Sequence, residues 1–174
     1  MKLNKDLKIS IIGLGYVGLP LAIEFSKLYE VVGYDINNKR IMALNHYNDI
    51  TDETSSKSLK KALSKNLKIT SLESDISNSD VFIVTVPTPI TEKKIPDLSY
   101  LKSASRTVGS YLKPDNVVIF ESTVYPGCTE EDCVPILEAE SNLSYQKDFH
   151  CGYSPERINP GDKTNTLTKI KKIT

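Results

Sequence analysis

Apolar residues along the chain fall into short runs that alternate with longer amphipathic segments. The short runs are rich in β-branched residues, which is typical of buried strands. Strands are predicted at 8–12, 30–36, 67–70, 81–86 and 116–122, with weaker ones at 149–155 and 167–173. Helices are predicted at 17–25, 55–64, 99–112 and 127–139, with Ser99 capping the third and Pro135 kinking the fourth. This alternation predicts a doubly wound α/β fold with a mostly parallel sheet and helices on both faces.

The first predicted strand leads directly into the segment GLGYVG at 13–18, which has the spacing GxGxxG. A strand, a glycine turn and a helix in this order form a site for a pyrophosphate. Gly13 would permit the tight turn, Gly15 the approach of the phosphates, and Gly18 close packing of the helix on the strand. The free N–H groups and the dipole of the helix would then hold the anion. A signal peptide is disfavoured, because three glycines and Pro20 interrupt the apolar run and no small-x-small cleavage site follows.

Asp35 ends the second predicted strand, 17 residues beyond Gly18. An acid at this position accepts hydrogen bonds from the adenosine ribose hydroxyls, and its charge would repel the 2′-phosphate of NADP. The pattern therefore predicts a Rossmann-like domain that binds NAD. Ordinary turn glycines and a surface acid at a strand end are the alternative interpretation.

Three further stretches follow the carboxyl ends of predicted strands, where ligands bind in such sheets. They are VPTPI at 86–90, ESTVYPG at 121–127 and YSPERINPGD at 153–162. Two prolines would keep the first stretch extended and leave the Thr88 hydroxyl facing the cofactor. Ser122 and Thr123 place hydroxyls at the next strand end, and Glu156 with Arg157 offers an acid–base group and an anion contact. A proline-rich loop, capping residues and a surface ion pair are the respective alternatives.

Composition narrows the class of partners. The 174 residues include 22 Lys plus Arg and 22 Asp plus Glu, so the formal net charge is zero. The chain therefore has no overall field to attract nucleic acid or an anionic membrane. Three cysteines without a CxxC motif, and two distant histidines, predict neither a disulfide framework nor a metal site. No apolar run reaches the roughly 18 residues of a membrane span. The odd number of cysteines fits a reducing compartment, so we expect a cytoplasmic protein.

Five motifs together resemble the UDP-glucose/GDP-mannose dehydrogenase family, the nucleotide-sugar 6-dehydrogenases: IGLGYVGLPLA, VGYDIN, VTVPTPI, ESTVYPG and YSPERINPGDK. The last two are most similar to the branch that oxidises UDP-N-acetylglucosamine or UDP-N-acetylgalactosamine to uronic acids for bacterial capsule and other surface polysaccharides. The resemblance implies that residues 1–174 form one NAD-binding domain. A central dimerisation helix and a carboxyl-terminal sugar-binding domain are expected beyond residue 174. The full-length protein is then expected to be a homodimer, and this chain alone a monomer.

The family oxidises the C6 hydroxyl of the sugar twice, with two NAD⁺ and a cysteine-bound intermediate. Its nucleophilic cysteine is expected beyond residue 174, so this chain alone is expected to be inactive. By resemblance, Thr123 would position the catalytic water, Glu156 would be the acid–base residue for thioester hydrolysis, and Glu156 and Arg157 would contact substrate. The implied cofactor-binding residues are Gly13, Leu14, Gly15, Tyr16, Val17, Gly18, Asp35, Arg40, Val86, Pro87, Thr88, Pro89, Ile90, Ser122, Thr123 and Val124.

Other functions stay open at the level of sequence. UDP-glucose enzymes of the family carry a second glutamate where this chain has Pro160, which favours the N-acetylhexosamine branch over UDP-glucose or GDP-mannose. A 3-hydroxyacid dehydrogenase-like enzyme shares the opening glycine pattern. A non-catalytic NAD-binding module is the third alternative.

Overall fold

A single parallel sheet of six strands organises the part of the chain that the structure describes. The structure, a computed structural model, describes residues 6–155. The strands are β1 (Lys8–Ile12), β2 (Glu30–Tyr34), β3 (Leu67–Thr70), β4 (Val81–Val84), β5 (Val117–Phe120) and β6 (His150–Tyr153). Their order across the sheet is β3-β2-β1-β4-β5-β6, and every neighbouring pair is parallel. Strand order therefore reverses direction between β1 and β4, which makes that junction the topological switch point.

Between residues 6 and 155, five α-helices connect the strands. They are α1 (Gly18–Phe25), α2 (Asn38–Asn45), α3 (Ser56–Leu63), α4 (Ser99–Gly109) and α5 (Val134–Ser141). A 3-10 turn at Glu73–Ile76 precedes β4, and a π-helical turn at Thr129–Cys133 leads into α5. Among the described residues, no helix combines the length and the apolar character needed to cross a bilayer.

Two hydrophobic clusters cover the two faces of the sheet. Ile11 of β1 packs with residues of α1, α2 and α3, among them Leu44 and Leu59. Ile12 points to the opposite face, as successive strand residues do, and packs with α4 and α5 residues such as Leu101 and Leu137. These contacts confirm the predicted Rossmann-like α/β fold with helices on both faces.

The element boundaries differ from the sequence prediction in several places. The strands predicted at 81–86 and 116–122 end at Val84 and Phe120, so the motifs that follow them are loops. The prediction of Ser99 as a cap is wrong: Ser99 is already helical, and its N–H donates to Asp97 Oδ1 at 2.9 Å. Pro135 lies in the first turn of α5, where a missing N–H costs least, directly after the π-helical turn that ends at Cys133.

The sequence prediction also missed one helix, and one of its strands cannot be compared. The α2 helix was not predicted, although Asn37 caps it by accepting hydrogen bonds from the N–H groups of Lys39 and Arg40. The strand predicted at 167–173 lies outside the described residues.

Candidate functional site

A cleft of about 560 Å³ opens where β1, β2, β4 and β5 end, across the switch point of the sheet. Ten residues that the sequence singled out line this cleft: Gly13, Gly15, Tyr16, Val17, Asp35, Val86, Pro87, Thr88, Ser122 and Thr123. Segments more than 100 residues apart in the chain thus meet at one surface, as expected for carboxyl ends of neighbouring parallel strands.

The three glycines at 13–18 each lack a side chain for a different reason. Gly13 turns with φ +96°, a conformation that L side chains rarely adopt. A Cβ on Gly18 would lie 1.9 Å from the Gly13 carbonyl oxygen, so α1 approaches the turn closely. A Cβ on Gly15 would meet no atom of the described chain within 4 Å. Gly15 therefore keeps the cleft open, which is the space that an approaching pyrophosphate requires.

The amino terminus of α1 adjoins this open space. Its N-cap residue, Val17, makes no side-chain capping hydrogen bond. By contrast, the side chains of Asn37 and Ser55 cap α2 and α3. In α1 the Leu19 N–H already donates to the Gly15 carbonyl at 3.2 Å, and Pro20 has no N–H. The first turn still carries the positive end of the helix dipole. This end of α1 is therefore suited to an anionic ligand.

The carboxylate of Asp35 links the glycine loop to the start of α2. Its Oδ2 accepts the N–H of Leu14 at 2.8 Å, and its Oδ1 accepts the N–H of Asn37 at 2.8 Å. Each oxygen keeps a second lone pair, so the carboxylate can still accept hydrogen bonds from two vicinal hydroxyls. Asp35 lines the cleft beside the exposed side chain of Ile36, which offers an apolar surface to a planar ring.

The loops after β4 and β5 are joined to each other by hydrogen bonds. The Ser122 hydroxyl donates to the Val86 carbonyl at 2.6 Å, and the Thr88 hydroxyl donates to the Thr123 carbonyl at 2.6 Å. These contacts hold the two loops side by side. The Thr123 side chain is exposed at the cleft, and the hydrogen bond from Thr88 fixes the Thr123 backbone.

The loop after β5 is also tied to α4. The hydroxyl of Tyr125 donates to Asp132 Oδ2, and Lys102 Nζ lies 2.7 Å from Asp132 Oδ1. Hydrogen bonds from Lys102 and Tyr125 lower the pKa of Asp132. Asp132 is therefore ionised near neutral pH and connects the π-helical turn to both elements.

Sequence reasoning missed one wall of the cleft. Around the whole cleft, ten lining residues were not predicted: Ile12, Tyr34, Ile36, Asn37, Thr85, Tyr100, Ser103, Ala104, Thr107 and Glu121. Four of them share one face of α4, at the spacing i, i+3, i+4 and i+7 from Tyr100. Burial and the nearby Glu73 carboxylate raise the pKa of Tyr34 to about 12, so its hydroxyl stays protonated and donates to Glu73 at 3.2 Å.

Six of the residues predicted to bind cofactor do not line the cleft: Leu14, Gly18, Arg40, Pro89, Ile90 and Val124. Leu14 points into the core, and Gly18 packs beneath the Gly13 carbonyl. Arg40 is buried behind the glycine loop, where its Nε donates to the Leu14 carbonyl at 2.9 Å. Ile90 is exposed and pairs with Pro96. Glu156 and Arg157 lie outside the described residues.

The three cysteines are free and poorly suited to nucleophilic chemistry. Burial raises the pKa of Cys128, and it raises the pKa of Cys133 and of Cys151 to about 12. A thiol reacts as its thiolate, which these environments disfavour. Among residues 6–155, no cluster of His, Cys, Asp or Glu has the arrangement of a metal site.

Comparison with known proteins identifies the family. The family model described as "UDP-glucose/GDP-mannose dehydrogenase family, NAD binding domain" matches residues 7–174. The chain belongs to this family. Its match to the NAD-binding domain confirms the cofactor expected from the glycine pattern and Asp35, and it sets aside the 3-hydroxyacid dehydrogenase-like alternative.

Individual relatives agree with this assignment. The chain is 55% identical over 169 residues to UDP-N-acetyl-D-glucosamine 6-dehydrogenase of Salmonella typhi, covering 97% of this chain and 39% of that protein. It is 55% identical over 170 residues to the enzyme of the same name from Pseudomonas aeruginosa, covering 98% and 40%. The structure of a UDP-N-acetyl-mannosamine dehydrogenase from Pyrococcus horikoshii superposes with a TM-score of 0.84 at 41% identity, covering 89% and 37%. The chain thus spans about two fifths of the length of these relatives.

Proposed function

We propose that this chain is the cofactor-binding part of an NAD-dependent UDP-N-acetylhexosamine 6-dehydrogenase. One observation carries the proposal: the open space at Gly15, the uncapped start of α1 and the Asp35 carboxylate face a single cleft at the switch point. That arrangement matches a dinucleotide, with its anionic centre between a ribose and a second ring. The 55% identity to two UDP-N-acetyl-D-glucosamine 6-dehydrogenases supports the substrate class.

In this proposal, different residues of the cleft contact different parts of the cofactor. The N–H groups around Gly15 and the positive end of the α1 dipole hold the pyrophosphate, while Asp35 accepts the adenosine ribose hydroxyls. The face of α4 that carries Ser103 and Ala104 lines the side of the cleft. NAD⁺ in this site supplies an acceptor for the hydride that leaves C6 of the sugar. Asp35 also disfavours NADP⁺ because its charge opposes the 2′-phosphate.

The joined loops after β4 and β5 line the end of the cleft at which we place the reaction. Thr88 and Ser122 fix the loop backbones through their hydrogen bonds, which leaves the Thr123 hydroxyl exposed at the rim. We assign to Thr123 the orientation of the water that hydrolyses the enzyme-bound intermediate. We assign the acid–base role in that step to Glu156, and we expect the nucleophilic cysteine and the sugar pocket in a part of the complete protein outside these 174 residues. The same reasoning predicts a cytoplasmic homodimer for the complete protein.

Two measurements test the proposal. Calorimetric titration of the 174-residue chain should show NAD⁺ binding that is tighter than NADP⁺ binding. The complete protein should form two NADH per molecule of UDP-N-acetylglucosamine, because an alcohol becomes a carboxylate by two successive two-electron oxidations. The chain alone should form none, since the raised pKa of each of its three cysteines keeps it a protonated thiol.

Each contrary result would contradict a different part of the proposal. Tighter binding of NADP⁺ would contradict the role of Asp35. Turnover of UDP-glucose or GDP-mannose in preference to the N-acetylhexosamines would leave cofactor binding intact and overturn the substrate class. Rapid NADH formation by the chain alone would show that the nucleophile lies within it.

A further inference from the structure

Behind the glycine loop, a buried ion pair joins α2 to the segment that follows it. Arg40 Nη1 lies 2.8 Å from Asp49 Oδ1, and the two side chains are only 6% and 1% exposed. Neither residue lines the cleft. Nη1 has no partner with hydrogen-bond geometry among the described residues, so hydrogen bonds at the other atoms of the two side chains must offset their loss of hydration. Those hydrogen bonds indicate what the pair does.

The contacts of Arg40 lead to one peptide group of the glycine loop. Its Nε donates to the Leu14 carbonyl oxygen at 2.9 Å, from the side of the loop away from the cleft. The carbonyl of Leu14 and the N–H of Gly15 belong to the same planar trans peptide, so they point in opposite directions. By holding the Leu14 carbonyl from behind, Arg40 aims the Gly15 N–H toward the open space.

The same loop is held at the preceding peptide. Asp35 Oδ2 accepts the N–H of Leu14 at 2.8 Å. The two peptide groups that flank Leu14 are therefore fixed by side chains of opposite charge, one at the end of β2 and one on α2. This leaves little rotational freedom to the backbone that faces the pyrophosphate.

Asp49 in turn holds Arg40. Its Oδ1 accepts the Thr51 hydroxyl at 2.7 Å, and its Oδ2 accepts the N–H groups of Glu53 and Thr54 at 3.1 and 2.9 Å. Burial opposes ionisation of Asp49, but hydrogen bonds from Thr51 and the ion pair with Arg40 outweigh it and lower the pKa. The carboxylate is thus a fixed anion at neutral pH, anchored by its own loop.

We propose that Arg40 and Asp49 are positioning residues for the pyrophosphate: Arg40 orients the peptide between Leu14 and Gly15, and Asp49 holds Arg40 in place. This inference rests on the proposed NAD⁺ site. It replaces the direct contact between Arg40 and the cofactor that the family resemblance implied. Asp49 acquires a role in cofactor affinity although its side chain has no exposure to the cleft.

Isothermal titration of the 174-residue chain with NAD⁺, ADP and adenosine tests the proposal. Asp49→Asn should weaken NAD⁺ and ADP by about tenfold, the scale of losing one hydrogen bond with a charged partner. Adenosine, which has no phosphate, should bind with nearly unchanged affinity. Asp75→Asn is the matched control, because it removes a carboxylate from another 2.8 Å ion pair, with Lys68, that does not touch the glycine loop.

Variants of Arg40 separate positioning from simple charge pairing. Arg40→Lys keeps a charge for Asp49 but loses the planar second donor that reaches Leu14. It should recover thermal stability relative to Arg40→Met and should still bind ADP about tenfold more weakly than the parent chain. The double variant Arg40→Met with Asp49→Asn should bind no more weakly than Arg40→Met alone, because both act through one peptide.

The outcomes are distinguishable. Folded Asp49→Asn protein with parental ADP affinity, or full recovery of ADP affinity in Arg40→Lys, would overturn the positioning role while the parent chain still bound NAD⁺. Equal losses for ADP and adenosine would also overturn it. If single variants fail to fold, Arg40→Met with Asp49→Leu replaces the pair by apolar side chains and should show the same selective loss. A parent chain that does not bind NAD⁺ would remove both this inference and the proposed function.

Discussion

At the scale of single residues, two glycines of the loop lack a side chain for different reasons, one for the fold and one for the ligand. Gly18 has no side chain because the Gly13 carbonyl occupies the space, whereas Gly15 has none although the space is empty. Asp35 combines both roles, since it accepts backbone N–H groups from two elements and still faces the cleft.

The two glycines should respond differently to alanine. Gly18→Ala forces a contact that the backbone must relieve, so we expect a loss of roughly 1–3 kcal/mol in unfolding free energy. Gly15→Ala should leave the melting temperature nearly unchanged and weaken NAD⁺ binding by about tenfold or more. Thermal unfolding and calorimetry on both variants check this. Unchanged NAD⁺ affinity in Gly15→Ala would mean that the phosphates do not approach this residue.

Replacement of Asp35 by Asn should alter cofactor preference. The change keeps the size of the side chain and removes the charge that opposes a 2′-phosphate, so the preference for NAD⁺ over NADP⁺ should narrow by about tenfold. Asp80→Asn is the control, because Asp80 accepts the N–H of Lys8 at the amino-terminal end of β1, away from the cleft. Titration with both cofactors provides the measurement. An unchanged ratio of the two affinities would remove Asp35 from cofactor selection.

At the scale of elements, the sequence predicted what depends on neighbours along the chain. The buried strands and the loops at their carboxyl ends follow from apolar runs bounded by glycine and proline, and these loops supplied ten of the cleft residues. The α2 helix was missed because its composition is polar, although Asn37 followed by Ile41 and Leu44 carries the cap and the helical spacing. The wall formed by α4 depends on how that helix lies across the sheet, which no local pattern encodes.

The face of α4 toward the cleft can be tested by a steric change. Ser103 is exposed and lines the cleft, so Ser103→Phe should obstruct it without disturbing the core. We expect NAD⁺ affinity to fall by about tenfold or more while the melting temperature changes by only a few degrees. Arg106→Phe, on an exposed position of α4 outside the cleft, should bind NAD⁺ normally. Equal affinities for the two variants would show that the cofactor does not lie along α4.

At the scale of the whole molecule, two hydrophobic cores cover the two faces of one sheet, and the cleft lies at the carboxyl ends of its strands. The position of Arg40 illustrates why the sequence alone was insufficient. The family resemblance implied a cofactor contact for Arg40, and in the structure three interactions hold its guanidinium against Leu14, Asp49 and Thr51. Only the packing of α2 against the glycine loop determines that direction.

The Asp49 carboxylate should make the stability of the fold depend on acid pH. Its pKa is lowered in the folded chain from the ordinary value, which is about 3.9 in an unfolded chain. Its contribution is therefore fully present above that value and is lost as the pH falls through the folded pKa. We expect the difference in melting temperature between the parent chain and Asp49→Asn to be largest near neutrality and to shrink below about pH 4. A difference that stays constant into stronger acid would contradict an ionised Asp49.

The most direct measurement is a crystal structure of the 174-residue chain grown with NAD⁺. We expect the pyrophosphate within hydrogen-bond distance of the Gly15 N–H and the first turn of α1, with the adenosine ribose hydroxyls on Asp35. Arg40 should remain on the Leu14 carbonyl, without contact to the cofactor. A dinucleotide bound elsewhere, or in the cleft without contacts to Gly15 and Asp35, would contradict this account of the site.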